Sequence, residues 1–230
     1  MARIILLRHA HSTANEAGIL SGQLPGVTLS LRGKEQAAGL VNRIGPTIFD
    51  SIRVSPMQRC QETIAPWLES PFGNGLKRYL IDEQIIEMNY GDWSGRKLRS
   101  LAREKLWKEI QNKPSKVRFP SGESFVAMQK RATQSILDAV KEKKSGTHLL
   151  ISHGDVIKAL TAKLLKMKLD DFQSLVVNPA SLTIFDLDGE SAQLISFNDT
   201  SSVLKENPTR SVSKKLLLGG GSGTGKSRKT

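Results

Sequence analysis

Apolar positions along this chain switch between two periods. Arg3 to Leu7, RIILL, is a short run with one charge in front, the length and composition of a buried strand rather than a helix. Asp50 to Val54, with Ile52 and Val54 on one face, and Thr147 to Ser152, THLLIS, are two more such runs. SLTIFDLD and SAQLISFND read as two closing strands joined at Gly189. Between the runs the spacing lengthens. Ser30 stands where a cap belongs for LRGKEQAAGLVNRIG, whose Leu31, Ala37, Ala38, Val41 and Ile44 keep helical spacing. Further helices are predicted for MQRCQETIAPWLE, for Arg96 to Gln111, for about Glu123 to Lys144, and for DVIKALTAKLLKM. RYLIDEQIIEMNYGDWSG reads as an extended stretch ending in a turn. Strands alternating with helices predict an α/β fold: a three-layer sandwich with a mostly parallel central sheet flanked by helices, and a hairpin at one edge.

Chemistry concentrates at the ends of the apolar runs. The first run stops at Arg8 and His9, and the third at His153 and Gly154. The second ends at Ser55 and Pro56 and leads into a helix with Arg59 in its first turn. The carboxyl edge of an open α/β sheet is where such folds place ligands. Ser12, Thr13 and Asn15, just past His9, are residues that cap a helix and hydrogen-bond an anion. Glu83 and Glu87 lie on the extended stretch, Glu87 close to YGDWSG.

Two histidines, two arginines and a carboxylate at strand ends suit phosphoryl transfer. A phosphoryl group carries its charge on three equatorial oxygens, which guanidinium groups match better than ammonium. A neutral imidazole can attack phosphorus and divide one displacement into two. A carboxyl group with a raised pKa can protonate the leaving oxygen and later deprotonate the attacking water. The scheme needs no metal and no cofactor.

Composition narrows the setting. At 230 residues, with 38% apolar content, the chain is long enough for one full core. The net charge is +12, but Lys205 to Thr230 hold seven Lys or Arg against one Glu, so half of the excess lies in the last 26 residues. That polar, glycine-rich segment is expected to be a disordered basic tail, 205–230, behind a domain of residues 1–204. The expected partner is a small phosphorylated substrate. Nucleic acid is expected to bind weakly through the tail at most, and a homodimer stays open. The single cysteine, Cys60, forbids an internal disulfide and is read as a small buried side chain. No apolar run reaches membrane-spanning length, and the N-terminal run is too soon interrupted for a secretory leader, so a cytoplasmic protein is expected.

LRHAHSTAN resembles the RHG motif of the histidine phosphatase superfamily (phosphoglycerate mutase-like). The likeness continues through SPMQRCQET, EMNYGDWSG, FPSGES and ISHGDVIKA, in family order, from about Arg3 to Asp199. It looks nearest to short bacterial members often labelled probable phosphoglycerate mutase. The resemblance implies that His9 is the phosphorylated nucleophile, that Arg8, Arg59 and His153 line the phosphate pocket with Asn15, and that Glu87 is the proton donor. Ser21, Gly22 and Gln23 stand where relatives contact substrate. Ala10 replaces the motif's usual glycine, and His11 stands where many members have Glu, Gln or Arg. True mutases of the family carry a longer insertion with extra arginines; here that region offers Lys113, Lys116 and Arg118. A phosphomonoesterase working through phosphohistidine is therefore expected, with a mutase acting on 3-phosphoglycerate as the alternative.

Three other readings compete with this one. An inactive relative binding anions or nucleic acid is a different-class alternative, opposed by the joint presence of Arg8, His9, Arg59, Glu87 and His153. His9-Ala10-His11 is also the H-x-H pattern of metal-dependent hydrolases, but such sites need further ligands and only His148 and His153 remain. GGSGTGKS, residues 220–227, matches a P-loop by letter, yet only three residues come after it and no helix can begin there. Tyr90 and Trp93 are expected to serve packing; Asp155 can either steer His153 or cap the helix that it starts, and the cap is the expected role.

Overall fold

The computed structural model describes residues 1–73 and 79–204. The basic tail and its P-loop-like string lie outside them. The strands are β1 (Ala2–Arg8), β2 (Ser51–Val54), β3 (Leu80–Ile81), β4 (Thr147–Ser152), β5 (Leu182–Asp188) and β6 (Ser191–Asp199). They form one mixed sheet in the order β3-β2-β4-β1-β5-β6. The first four are mutually parallel, and β5 and β6 close the sheet as an antiparallel hairpin beside β1. The α/β sandwich read from the periodicity is therefore present, with its hairpin edge.

The helices are α1 (Thr13–Ala17), α2 (Leu31–Ile44), α3 (Gln58–Glu69), α4 (Leu98–Leu101), α5 (Lys105–Asn112), α6 (Phe125–Glu142) and α7 (Gly154–Leu164). Successive strand side chains point to opposite faces, so the continuous apolar run of β1 feeds two cores. Ile5 and Leu7, with Leu149 and Ile151 of β4, pack against Leu40 and Ile44 of α2 and Ile64 and Trp67 of α3. Ile4, Leu6 and Leu150 pack on the other face against Phe125, Met128 and Ile136 of α6 and Val156, Ile157 and Leu160 of α7. Ser30 caps α2 as expected, its hydroxyl accepting from the Gly33 amide, and Ser124 caps α6 in the same way, accepting from the Ala127 amide.

Two predicted elements differ. Among the described residues, the stretch 79–90 pairs only through Leu80 and Ile81; a 3₁₀ turn at Glu83–Ile85 comes next, started by the Asp82 carboxylate accepting from the Gln84 amide. Buried Asp82 also accepts from Arg53 (3.0 Å) and from Ser135 of α6 (2.6 Å), so the turn is fixed to a charged group inside the fold. The single helix expected over 96–111 is two, α4 and α5. Leu101 and Ile110 are nine residues apart, which in an unbroken helix is half a turn out of phase. Breaking the helix at 102–104 lets both side chains reach the same core.

Candidate active site

Ladder hydrogen bonds run past the strand ends and set the site. Arg8 of β1 is level with Ser152 of β4, and the next amide, that of His9, donates to the Ser152 carbonyl at 2.9 Å. Ser55, one residue past β2, donates to the carbonyl of Ile151 at 3.0 Å. His9, Ser55 and His153 thus meet at the carboxyl edge of three adjacent parallel strands. The His9 and His153 rings lie 5.3 Å apart, centroid to centroid, tilted by 59°.

His9 is nearly inaccessible, and its Nδ1 is 2.7 Å from the Ala10 carbonyl. A carbonyl only accepts, so Nδ1 carries the proton and Nε2 keeps its lone pair. Burial, with Arg59 and Arg8 adding to it, holds the imidazole well below its ordinary pKa and therefore neutral. His153 is neutral for the same reasons, burial first and Arg59 second. Its Nδ1 is 3.2 Å from Arg59 Nη2, which can only donate, so the ring proton sits on Nε2, 2.7 Å from Ser55 Oγ.

The two arginines present unmet donors. Arg59 is buried in the first turn of α3, and one of its nitrogens donates to the Gly22 carbonyl at 2.8 Å. Arg8 donates to the carbonyl of Val177 at 2.6 Å. Arg8 Nε, Arg59 Nε and Arg59 Nη1 are buried with no hydrogen-bond partner among the described residues. Buried guanidinium donors left open in pairs are a receptor for a multivalent anion. Glycine makes the approach feasible at two points. A Cβ on Gly154, the first residue of α7, would lie 3.3 Å from the Arg8 guanidinium carbon. Gly22 has φ +51°, and a Cβ there would meet the Tyr90 ring at 2.9 Å.

Glu87 closes the site. Its Oε2 is 3.7 Å from His153 Nδ1, and its Oε1 accepts from the Met88 amide at 2.9 Å. Burial, and after it the charge of Asp155, push its carboxyl up from 4.5 to about 7. Glu83, the other carboxylate of that stretch, is exposed and lines no part of the site. A folded-state pKa above the unfolded one means that the native state binds more protons, so this group lowers stability as pH rises from 4.5 towards 7. Glu87→Gln is therefore expected to gain about 2 kcal/mol over the wild type between about pH 5 and about pH 8. Urea melts of both proteins at the two pH values measure it, and a constant difference would remove the shift.

A cavity of about 460 Å³ opens from this point. Of the residues singled out in the sequence, Arg8, His9, Asn15, Ser21, Gly22, Glu87 and Gly154 line it. Arg59 and His153 sit behind that lining, in contact with it. Gln23 is placed otherwise: its amide donates to the Glu87 carbonyl at 2.7 Å, and it is absent from the cavity wall. Asn15 both lines the cavity and completes a capping box, its side chain accepting from the Ser12 amide. The Ala10 methyl faces the α2/α3 core rather than the anion site, while its amide donates to Thr63 of α3. His11 turns to Ser30, 2.8 Å from its Nδ1, away from His9. Among the described residues no group of three or more His, Cys, Asp or Glu is placed to hold a metal.

Asp155 differs from its expected capping role. It accepts from the Tyr90 hydroxyl at 2.8 Å and lies 3.6 Å from Lys158, with no capping bond to α7. Tyr90 and Trp93 do pack in the core, but both also line the cavity. Sequence reasoning missed Ser55 as a partner of His153, although its position directly after β2 was a usable signal. It also missed Lys158, Gln173 and the apolar wall supplied by Trp107 and 175–177.

The family model described as histidine phosphatase superfamily (branch 1) matches residues 4–200. Phosphoserine phosphatase 1 of Hydrogenobacter thermophilus is 28% identical over 205 residues, 87% of this chain and 93% of that protein. An adenosylcobalamin/alpha-ribazole phosphatase of Salmonella typhimurium is 32% identical over 173 residues, 72% of this chain and 80% of the relative. The crystal structure of the alpha-ribazole phosphatase from Shigella flexneri superposes with a TM-score of 0.78 at 27% identity, covering 89% of this chain and 100% of that one. The match spans the sheet from β1 to β6 and both histidine-bearing strand ends, and the chain belongs to the histidine phosphatase superfamily, branch 1.

Proposed function

We propose that the protein is a phosphomonoesterase that hydrolyses a small phosphorylated metabolite through phosphorylated His9. The observation that carries this reading is the free Nε2 of a neutral, buried His9 set beside two guanidinium groups with open donors. The phosphoryl oxygens take the donors of Arg8 and Arg59, with Asn15 at the same wall. His9 Nε2 attacks phosphorus, the bond to the substrate oxygen breaks, and protonated Glu87 gives its proton to that oxygen. Glu87, now a carboxylate, takes a proton from water; the hydroxide displaces His9 and inorganic phosphate leaves. His153 stands beside the reacting group, where a dianion favours its imidazolium form and a hydrogen bond from Nδ1. Most of the catalysis asked of the protein is positioning and charge stabilisation, since the transition state of phosphoryl transfer is loose.

The phosphatase names of the similar proteins support hydrolysis. So does the shortage of a second anion site. Lys113, Lys116 and Arg118 are exposed and stand outside the cavity, so a bisphosphate would find no second cluster of cations there. Among the described residues no helix is long and apolar enough to cross a membrane.

The test is incubation of the EDTA-treated protein with a panel of phosphomonoesters that includes 3-phosphoglycerate, with and without 2,3-bisphosphoglycerate. Release of inorganic phosphate is expected. Formation of 2-phosphoglycerate in its place would make the protein a mutase.

A further inference from the structure

We infer that the cavity beyond the phosphate pocket selects a phosphomonoester of an uncharged alcohol carrying a planar apolar ring. The inference rests on the phosphatase reading and concerns the half of the substrate that leaves. Two features of the wall carry it, one of shape and one of charge.

Part of the cavity wall beyond Arg8 and His9 is apolar. Leu98 of α4, Trp107 and Ile110 of α5, and Leu175 and Val176 of the segment before β5 line it. Leu98 is 40% exposed and Val176 61% exposed, so large aliphatic groups stand uncovered at the cavity mouth. The Trp107 ring lies nearly parallel to that of Trp93, 16° between planes and 6.4 Å between centroids. Trp93 is buried, whereas Trp107 is only half-buried and offers ring surface to the cavity. Apolar surface held open around a polar reaction centre is what a ligand with an apolar body covers.

The charge on the wall points the same way. Lys158 is the one cation among the described lining residues outside the phosphate pocket. Its ammonium bonds to Gln173 at 2.5 Å, lies 3.6 Å from Asp155, and sits 4.5 Å above the centre of the Phe172 ring. It is thereby committed. A substrate carboxylate, as in phosphoserine or phosphoglycerate, would meet the Asp155 carboxylate without a free cation to offset it. An uncharged ring meets no such cost, and the amides of Gln111 and Gln173 can still bond its heteroatoms or hydroxyls.

The experiment compares kcat/KM for 2-phenylethyl phosphate, ethyl phosphate and phosphoserine, all esters of alkyl alcohols, so the demand on Glu87 is similar. The ring is expected to raise kcat/KM over ethyl phosphate by about tenfold to a hundredfold, mostly through KM, with phosphoserine the poorest. Trp107→Ala is expected to bring the phenylethyl-to-ethyl ratio down to a few-fold. Val176→Lys, at an exposed position that tolerates a charge, is expected to lower that ratio and to raise phosphoserine relative to ethyl phosphate. A phosphoserine preference in the wild type, or an unchanged ratio in both variants, overturns the proposal while leaving the phosphatase reading intact. Calorimetry with 2-phenylethylphosphonate and ethylphosphonate reads the same preference without turnover. Absence of hydrolysis of every ester with retained phosphonate discrimination would fault the phosphatase reading alone, and equal phosphonate affinities would overturn the proposal.

Discussion

Replacement of His9 by alanine is expected to lower phosphate release by a factor on the order of 10⁴ or more, with the fold intact. The loss is large because no described neighbour can substitute. His153 points its protonated nitrogen at Ser55 and its other nitrogen at Arg59, and His11 is turned to Ser30. The variant keeps Arg8, Arg59 and Asn15, so phosphate or vanadate still binds. Stability should change little: the ring is buried without charge, and its backbone amide and carbonyl stay in the bonds to Ser152 and Ala180. Rapid quench with radiolabelled substrate gives the decisive reading. The wild type should yield an acid-labile, base-stable phosphoryl protein and the variant none; near-normal turnover in the variant would sink the nucleophile assignment.

The second large effect separates two classes of leaving group. Glu87→Gln cannot give up a proton, so hydrolysis of alkyl phosphates should fall by about 10²–10⁴. With p-nitrophenyl phosphate the leaving phenolate needs no proton, so phosphorylation of His9 should survive and the later attack by water should lag. A burst of nitrophenol close to one per active site is the expected signature. The pH profile gives a second check. The wild-type carboxyl holds its proton up to about 7, so kcat/KM for alkyl esters should fall as pH rises through that value. The Glu87→Gln variant should lose that limb. Equal losses for alkyl and aryl esters, with no burst, would assign the proton transfer to another group.

The strand-end half of this site is legible in the sequence and the cavity wall beyond it is not, for a physical reason. Residues 3–8 and 147–152 are buried on both faces, which forces continuous apolar runs and makes the first polar residues after them conspicuous. Arg8, His9, His153 and Gly154 stand out that way, and Arg59 by its place after β2. Glu87 lies after a two-residue strand and a 3₁₀ turn, so the period carries little and the resemblance places it. The apolar wall comes from α4, α5 and residues 171–177, whose side chains divide between core and cavity with no period of their own. The Tyr90–Asp155–Lys158 chain joins residues 65 apart, and proximity of that kind leaves no local trace.

The two histidines of the site stand where ladder bonds of the sheet end, whereas the apolar part of the cavity wall is carried on segments outside it. On the proposed function, chemistry and selection are mechanically separate parts, like a tool chuck and its interchangeable bits. Exchange of 96–112 together with 171–177 should retarget the protein to other phosphate esters without disturbing the distance from His9 to His153.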